Sequence, residues 1–308
     1  MMLRTLCAFG LLALGTSGAF AQTDFAVDAL PGGDAAVPIL FREALVPPAR
    51  YRVIFVPGSG CAGMQPIADR YFRGLIHAEV LVLHKPGVNL TAGPAPKDCT
   101  PEFVRWDALS RWSIAARTAL QADTPLHSRL PQILVGASEG AEILPSLAAV
   151  VGNLRALVMI SASGLDPREA GELQARRLGA ETAWRGLGAA VASSDSDDSI
   201  HQGRTLRYWR DLWPWRVTTP LLESALPVIQ AWGSADALVP ASAYAQFAEL
   251  AAGHGATSAS AGHICIHRLD GADHGLQSPD RDGVQWLWAQ LERWARMPDG
   301  SPCAVANS

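Results

Sequence analysis

Gln132-Ile-Leu-Val-Gly136-Ala-Ser138-Glu-Gly140-Ala-Glu-Ile-Leu is the stretch on which the fold turns. Gln132 to Val135 is an apolar run of strand length that stops at Gly136, and Ala141 to Val151 reads as a helix. A strand that passes into a helix through Gly-x-Ser-x-Gly makes a sharp, strained turn with the serine at its apex. The glycines are needed sterically, because side chains at Gly136 and Gly140 would collide with the neighbouring strand and helix. The helix that follows also points its positive end at any charge developing on an atom attacked by Ser138.

The same alternation continues on both sides. Arg52 to Val56, Val80 to Leu83, Leu157 to Ile160, Val228 to Trp232 and His263 to Leu269 are further strand runs. Glu102 to Gln121 reads as a helix, with Thr100 as N-cap and Pro101 at the first helical position. Pro240 to Ala252 and Gly283 to Arg296 are two more helices. Continuous apolar runs, instead of alternating ones, mark strands covered on both faces. The expected class is α/β: a mostly parallel central sheet with helices on both faces. One stretch, about 165–222, lacks a clear strand but holds Trp184, Tyr208, Trp209, Trp213 and Trp215 and the acidic run Ser193 to Ser199. It is expected to be a helical insertion over the carboxyl edge of the sheet, where open α/β sheets bind ligands.

A serine hydroxyl needs a base to become a nucleophile. His274, in Gly271-Ala-Asp-His-Gly275 after a late strand, is the candidate; His263 and His267 fall within that strand and read as structural. Asp236, between the Trp232 strand and the next helix, is the candidate for orienting the imidazole, with Asp270 and Asp273 as nearer but worse-placed alternatives. Two backbone N–H donors for an oxyanion are expected from Glu139 and from the loop Pro57-Gly58-Ser59-Gly60-Cys61, where Ser59 is preferred and Gly60 is second. His84, Trp184, Trp209 and Trp213 are candidate substrate contacts.

The chain has 308 residues, 49% hydrophobic and 18% charged, with a formal net charge of -4. This is a globular composition without the basic footprint of a nucleic-acid binder. Arg4, the apolar core Leu6 to Leu14 and Ala19-Phe-Ala21 read as a signal peptide, residues 1–21, leaving residues 22–308 as one exported domain without stable membrane insertion. Cys61, Cys99, Cys265 and Cys303 then remain, an even number that suits disulfides; Cys61–Cys99 and Cys265–Cys303 are the favoured pairs. No cysteine pair has the spacing of a zinc site, and no metal or organic cofactor is expected.

From about Val37 to Arg296 the chain resembles the α/β-hydrolase superfamily, on Pro57-Gly-Ser-Gly60, Gly136-Ala-Ser-Glu-Gly140, Gly233-Ser-Ala-Asp236 and Gly271-Ala-Asp-His274. The order Ser138, Asp236, His274 is the one this fold requires. Pro-Gly-Ser-Gly is similar to the oxyanion loop of some secreted lipases, although Pro57 stands where His is usual, and Glu139 replaces the commoner Gln, Met or Leu. The resemblance implies a Ser-His-Asp hydrolase of small carboxylic esters, with small-peptide cleavage as the alternative and a silent binding protein as a third. It leaves oligomeric state open. The aromatic insertion suggests an apolar or aromatic substrate group.

Overall fold

The computed structural model describes residues 24–92, 99–127, 129–257 and 263–296; the expected signal segment and Cys303 lie outside them. The chain runs β1 (Ala26–Leu30), β2 (Val37–Arg42), β3 (Tyr51–Val56), α1 (Ala68–Phe72) and β4 (Ala78–Leu83). There follow α2 (Pro101–Trp106), α3 (Leu109–His127), β5 (Gln132–Ala137), α4 (Glu139–Glu142), α5 (Leu144–Ala148) and β6 (Leu154–Ile160). The insertion holds α6 (Pro167–Arg177), α7 (Glu181–Val191), β7 (Ile200–His201), β8 (Arg204–Thr205), α8 (Leu206–Leu212) and α9 (Thr218–Leu222). The chain ends with β9 (Val228–Gly233), α10 (Ala241–Thr257), β10 (Ile264–Leu269), β11 (Gln277–Ser278), β12 (Arg281–Asp282) and α11 (Gly283–Arg296).

Eight strands form one sheet in the order β1-β2-β4-β3-β5-β6-β9-β10. From β4 to β10 every neighbouring pair is parallel, while β2 pairs antiparallel with both β1 and β4. Both faces are covered. Val53 and Phe55 of β3 enter one core with α1 and α11, whereas Ile54 and Val56 enter the other with α3 and α5. Opposite pleats therefore feed opposite cores, which is why these strands are apolar throughout. The strand order reverses between β3 and β5, and at such a switch point the loops leaving the strands diverge to open a crevice.

Several expected elements differ in detail. The helix expected over Glu102 to Gln121 is two helices, because Asp107 is extended, with φ -64° and ψ 119°. Its buried carboxylate is bound by Lys85 and Arg204, partners far away in sequence. The helix expected from Ala141 to Val151 breaks into α4 and α5 at Ile143, since Pro145 brings no N–H to continue the ladder. With α4 only four residues long, the expected helix-dipole contribution at Ser138 shrinks to that of single N–H groups. Strand β6 starts at Leu154 instead of Leu157, and the insertion contains one tiny hairpin, β7–β8. Among the described residues no helix is long and apolar enough to cross a membrane.

The expected Cys61–Cys99 disulfide is present, with a Cα–Cα distance of 5.5 Å. It fastens the loop after β3 to the segment before α2. Cys265 is also disulfide-bonded.

Candidate functional site

Ser138 joins β5 to α4 with φ 50° and ψ -125°, a conformation that L residues avoid. Its N–H donates to the Ile160 carbonyl at 2.7 Å, which fixes the turn to the end of β6. The two glycines do what the sequence demands of them. A Cβ on Gly136 would lie 2.5 Å from the Ala141 Cα, and one on Gly140 would lie 2.2 Å from the Pro57 carbonyl oxygen. A Cβ on Gly58 would meet Ser138 Cβ at 3.3 Å, so the loop after β3 passes directly against the serine. Within that loop Ser59 is exposed, and Gly60 is buried with φ 86°.

Two strands further along the sheet, Asp236 follows β9 and His274 follows β10. His274 Nδ1 lies 3.0 and 2.9 Å from the two Asp236 carboxylate oxygens. Gly233 permits the approach, since a Cβ there would lie 2.2 Å from the Ala272 carbonyl oxygen. Asp236 Oδ1 also accepts the N–H groups of Leu238 and Val239, at 2.8 and 3.0 Å. Burial pushes this carboxyl up, but the hydrogen bonds from His274 and the two N–H groups outweigh it and hold the pKa below the ordinary range. The alternatives are engaged elsewhere: Asp273 accepts the N–H groups of Gly275 and Gln277, and Asp270 pairs with Arg268. His267 reads as structural in the structure as well, edge-on to Trp286 at 5.5 Å.

Sequence reasoning missed Tyr244. Its hydroxyl donates to Asp236 Oδ2 at 3.0 Å, and its ring stacks on Trp232 at 4.3 Å. Its place eight residues beyond Asp236, on α10, carries no readable signal. Lys85 was missed too. It is buried beside Glu139 and Asp107, and the available hint was its rarity, one of two lysines among 25 basic residues. Glu139, the unusual residue after Ser138, is 7% exposed and bound by Lys85 and by the Tyr208 hydroxyl.

The candidate substrate contacts fare differently. His84 is 1% exposed, accepts the Met64 N–H through Nε2, and burial lowers its pKa to about 4. That is a neutral, enclosed ring and not one that faces a cleft. The three tryptophans pack on one another: Trp184 lies 4.9 Å from Trp213 and 6.4 Å from Trp209. Close approach needs Gly171 beneath Trp184 and Gly188 beneath Trp213. Trp209 Nε1 donates to the His201 carbonyl. These rings hold the insertion together, so they give no direction for a substrate group; Trp213 also borders a surface hollow with Asp166, Arg168 and Arg216. The acidic run is not free either, because Asp197 pairs with Arg207 and Arg210, and Asp198 with Arg207.

No family model and no curated protein matches the chain. Solved structures do match by shape. One is Est1E from Butyrivibrio proteoclasticus with ferulic acid bound, at 14% identity and TM-score 0.61, covering 88% of this chain and 99% of that one. Another is the esterase domain of a Rhodothermus marinus protein, at 14% identity and TM-score 0.52, covering 89% and 98%. A third is an α/β serine hydrolase homologue from Coxiella burnetii, at 11% identity and TM-score 0.53, covering 86% and 96%. At these identities the likeness is one of fold.

Proposed function

The chain has the α/β-hydrolase fold, and from that premise we propose that it is an exported serine hydrolase of small carboxylic esters, acting through Ser138, His274 and Asp236. The observation that carries the reading is the pairing of His274 Nδ1 with both oxygens of Asp236. That bond leaves Nε2 to act as base, on a sheet edge shared with a serine held in a strained turn. Ser138 Oγ attacks the acyl carbon while its proton passes to His274. The tetrahedral oxyanion takes hydrogen bonds from the N–H of Glu139 and of the Ser59–Gly60 loop. It collapses with loss of the alcohol, which receives the proton from His274. Water, deprotonated by His274, then attacks the acyl-enzyme, and the acid leaves as Ser138 regains its proton. An ionised Asp236 stabilises the imidazolium in both steps.

Export is supported by the Cys61–Cys99 bond, which suits an oxidising compartment. A fluorophosphonate probe should label Ser138 in the folded protein. Nitrophenyl esters should turn over faster than aminoacyl-nitroanilides. The reverse order would make the protein a peptidase, and absence of labelling would make it a binding protein on this fold.

A further inference from the structure

Five polar side chains that the proposed triad does not use form one buried cluster around the residue after Ser138. Lys85 Nζ donates to Asp107 Oδ1 at 2.6 Å and to Glu139 Oε1. The Tyr208 hydroxyl donates to Glu139 Oε2 at 2.6 Å, and the Arg204 guanidinium donates to Asp107 Oδ2. Lys85, Asp107, Glu139 and Tyr208 are all buried, and the Lys85 ammonium also lies 4.6 Å above the Trp112 ring. Two cations face two anions. Burial alone would discharge Lys85, but the charges of Glu139 and Asp107 outweigh it and hold it protonated. Burial and the charge of Glu139 push the carboxyl of the neighbouring Glu142 well above the usual carboxylate range.

Such a cluster is a poor way to gain stability, since desolvation of buried ions consumes most of their attraction. What it does well is fix a position. Glu139 is the first residue of α4, so its N–H has no acceptor within that helix. A four-residue helix cut off at Ile143 is too short to hold its own geometry. The Glu139 carboxylate, in contrast, is gripped on one oxygen by Lys85 from the loop after β4 and on the other by Tyr208 from α8. We infer that Lys85, Glu139 and Tyr208 are positioning residues that hold the Glu139 N–H where an oxyanion forms, and that the insertion, which supplies Tyr208 and Arg204, thereby completes the site. This rests on the hydrolase reading above, and it adds a role for the insertion other than substrate contact.

The test compares wild type with Tyr208→Phe, which keeps the ring on Trp209 and beneath Arg204 but removes one hydroxyl. Four quantities are read: kcat and KM on a nitrophenyl ester, the inhibition constant of an alkylboronic acid, and the unfolding midpoint. The boronate's tetrahedral adduct places an oxygen on the same donors. Loss of a whole oxyanion donor costs about 10²–10³ in kcat, so a displaced one should cost roughly tenfold. Kcat and boronate affinity should fall together by about that factor, with KM nearly unchanged. Glu139→Gln, which retains an oxygen acceptor, should keep more activity than Glu139→Ala. Should Tyr208→Phe not fold, Arg204→Gln, at the partly exposed end of the cluster, should give the same paired loss to a smaller degree. A lowered midpoint with kcat and boronate affinity both unchanged would overturn the inference and leave the cluster as a brace for the fold. Wild type that takes no fluorophosphonate at Ser138 would instead sink the hydrolase reading, and this one with it.

Discussion

Gly140→Ala probes the turn most directly. The new Cβ would lie 2.2 Å from the Pro57 carbonyl oxygen and 2.3 Å from that of Val56, where real Cβ atoms keep at least 3.0 Å. Both contacts are backbone, so no rotamer change relieves them. Strand β3 cannot yield, because it is paired on both sides, with Val56 opposite Gly136. The displacement, about 0.8 Å or more, therefore falls on α4 and on the loop from Pro57 to Cys61. Those two segments carry the expected oxyanion donors. Donors act within 2.7–3.1 Å of the oxyanion, so a shift of that size removes most of their effect and kcat should fall about 10²-fold. Overpacking costs about 1–3 kcal/mol, against which better helix propensity returns at most about 1 kcal/mol. With the full offset the net loss is about 0–2 kcal/mol, read by urea unfolding followed through tryptophan fluorescence. Gly186→Ala is the control, since a Cβ there meets nothing within 4 Å and α7 should be unchanged or slightly stabilised. Gly140→Ala with wild-type kcat and an unshifted urea midpoint would refute the steric reasoning.

Three further perturbations separate the parts of the structure. Tyr244→Phe strips one donor from the Asp236 carboxylate that orients His274, so kcat/KM on a nitrophenyl ester should fall about two- to tenfold; an unchanged kcat/KM would remove Tyr244 from the site. Cys61→Ser opens a loop closed across 38 residues and should cost about 4 kcal/mol in denaturant unfolding under oxidising conditions, an idea that a loss below about 1 kcal/mol would defeat. Asp166 closes the insertion by accepting the N–H groups of Val217 and Thr218, at 2.7 and 3.0 Å. Burial pushes its carboxyl up, but those bonds and Arg216 outweigh it and hold its pKa below the usual carboxylate range. A depressed carboxylate contributes stability above its unfolded pKa and loses it as pH falls through the folded one. The gap in melting temperature between wild type and Asp166→Asn should accordingly be full near pH 6 and shrink below about pH 4; a gap independent of pH would exclude the carboxylate as the clasp.

Most of the sheet was readable because burial on both faces leaves strands such as Arg52 to Val56 with no polar option except at their ends. Strands β1 and β2 escaped for the opposite reason. At the edge β1 is mostly exposed, and β2 contains Pro38 and a buried Arg42 whose guanidinium donates to the Phe72 and Leu75 carbonyls. Strand β1 lacks the apolar run that marks an interior strand, and in β2 Pro38 interrupts it. The break in the helix after Ser138 was legible in Pro145, whereas the break at Asp107 was not, because it follows from Lys85 and Arg204, 22 and 97 residues away.

The site divides along the same line. Local sequence specifies what a turn needs: Gly136 and Gly140 around Ser138 and Gly233 before Asp236 answer to clashes within a few residues or across one neighbouring strand, and Gly271 before His274 answers to a φ of 70°. Side chains that act through space leave no such mark. Three tryptophans in one insertion read equally well as substrate wall or as packing, and no sequence signal tells that Trp184 seats on Gly171 and Trp213 on Gly188. Glu139 makes the point most sharply. In the sequence it is a departure from the usual Gln, Met or Leu, a charge placed beside a nucleophile for no visible reason. In the structure its charge is cancelled by Lys85 and its position fixed by Tyr208, so the departure is one of support instead of chemistry. An oxyanion site on this fold needs only the N–H of that residue, which leaves the side chain free to be anchored in whatever way the insertion above it provides.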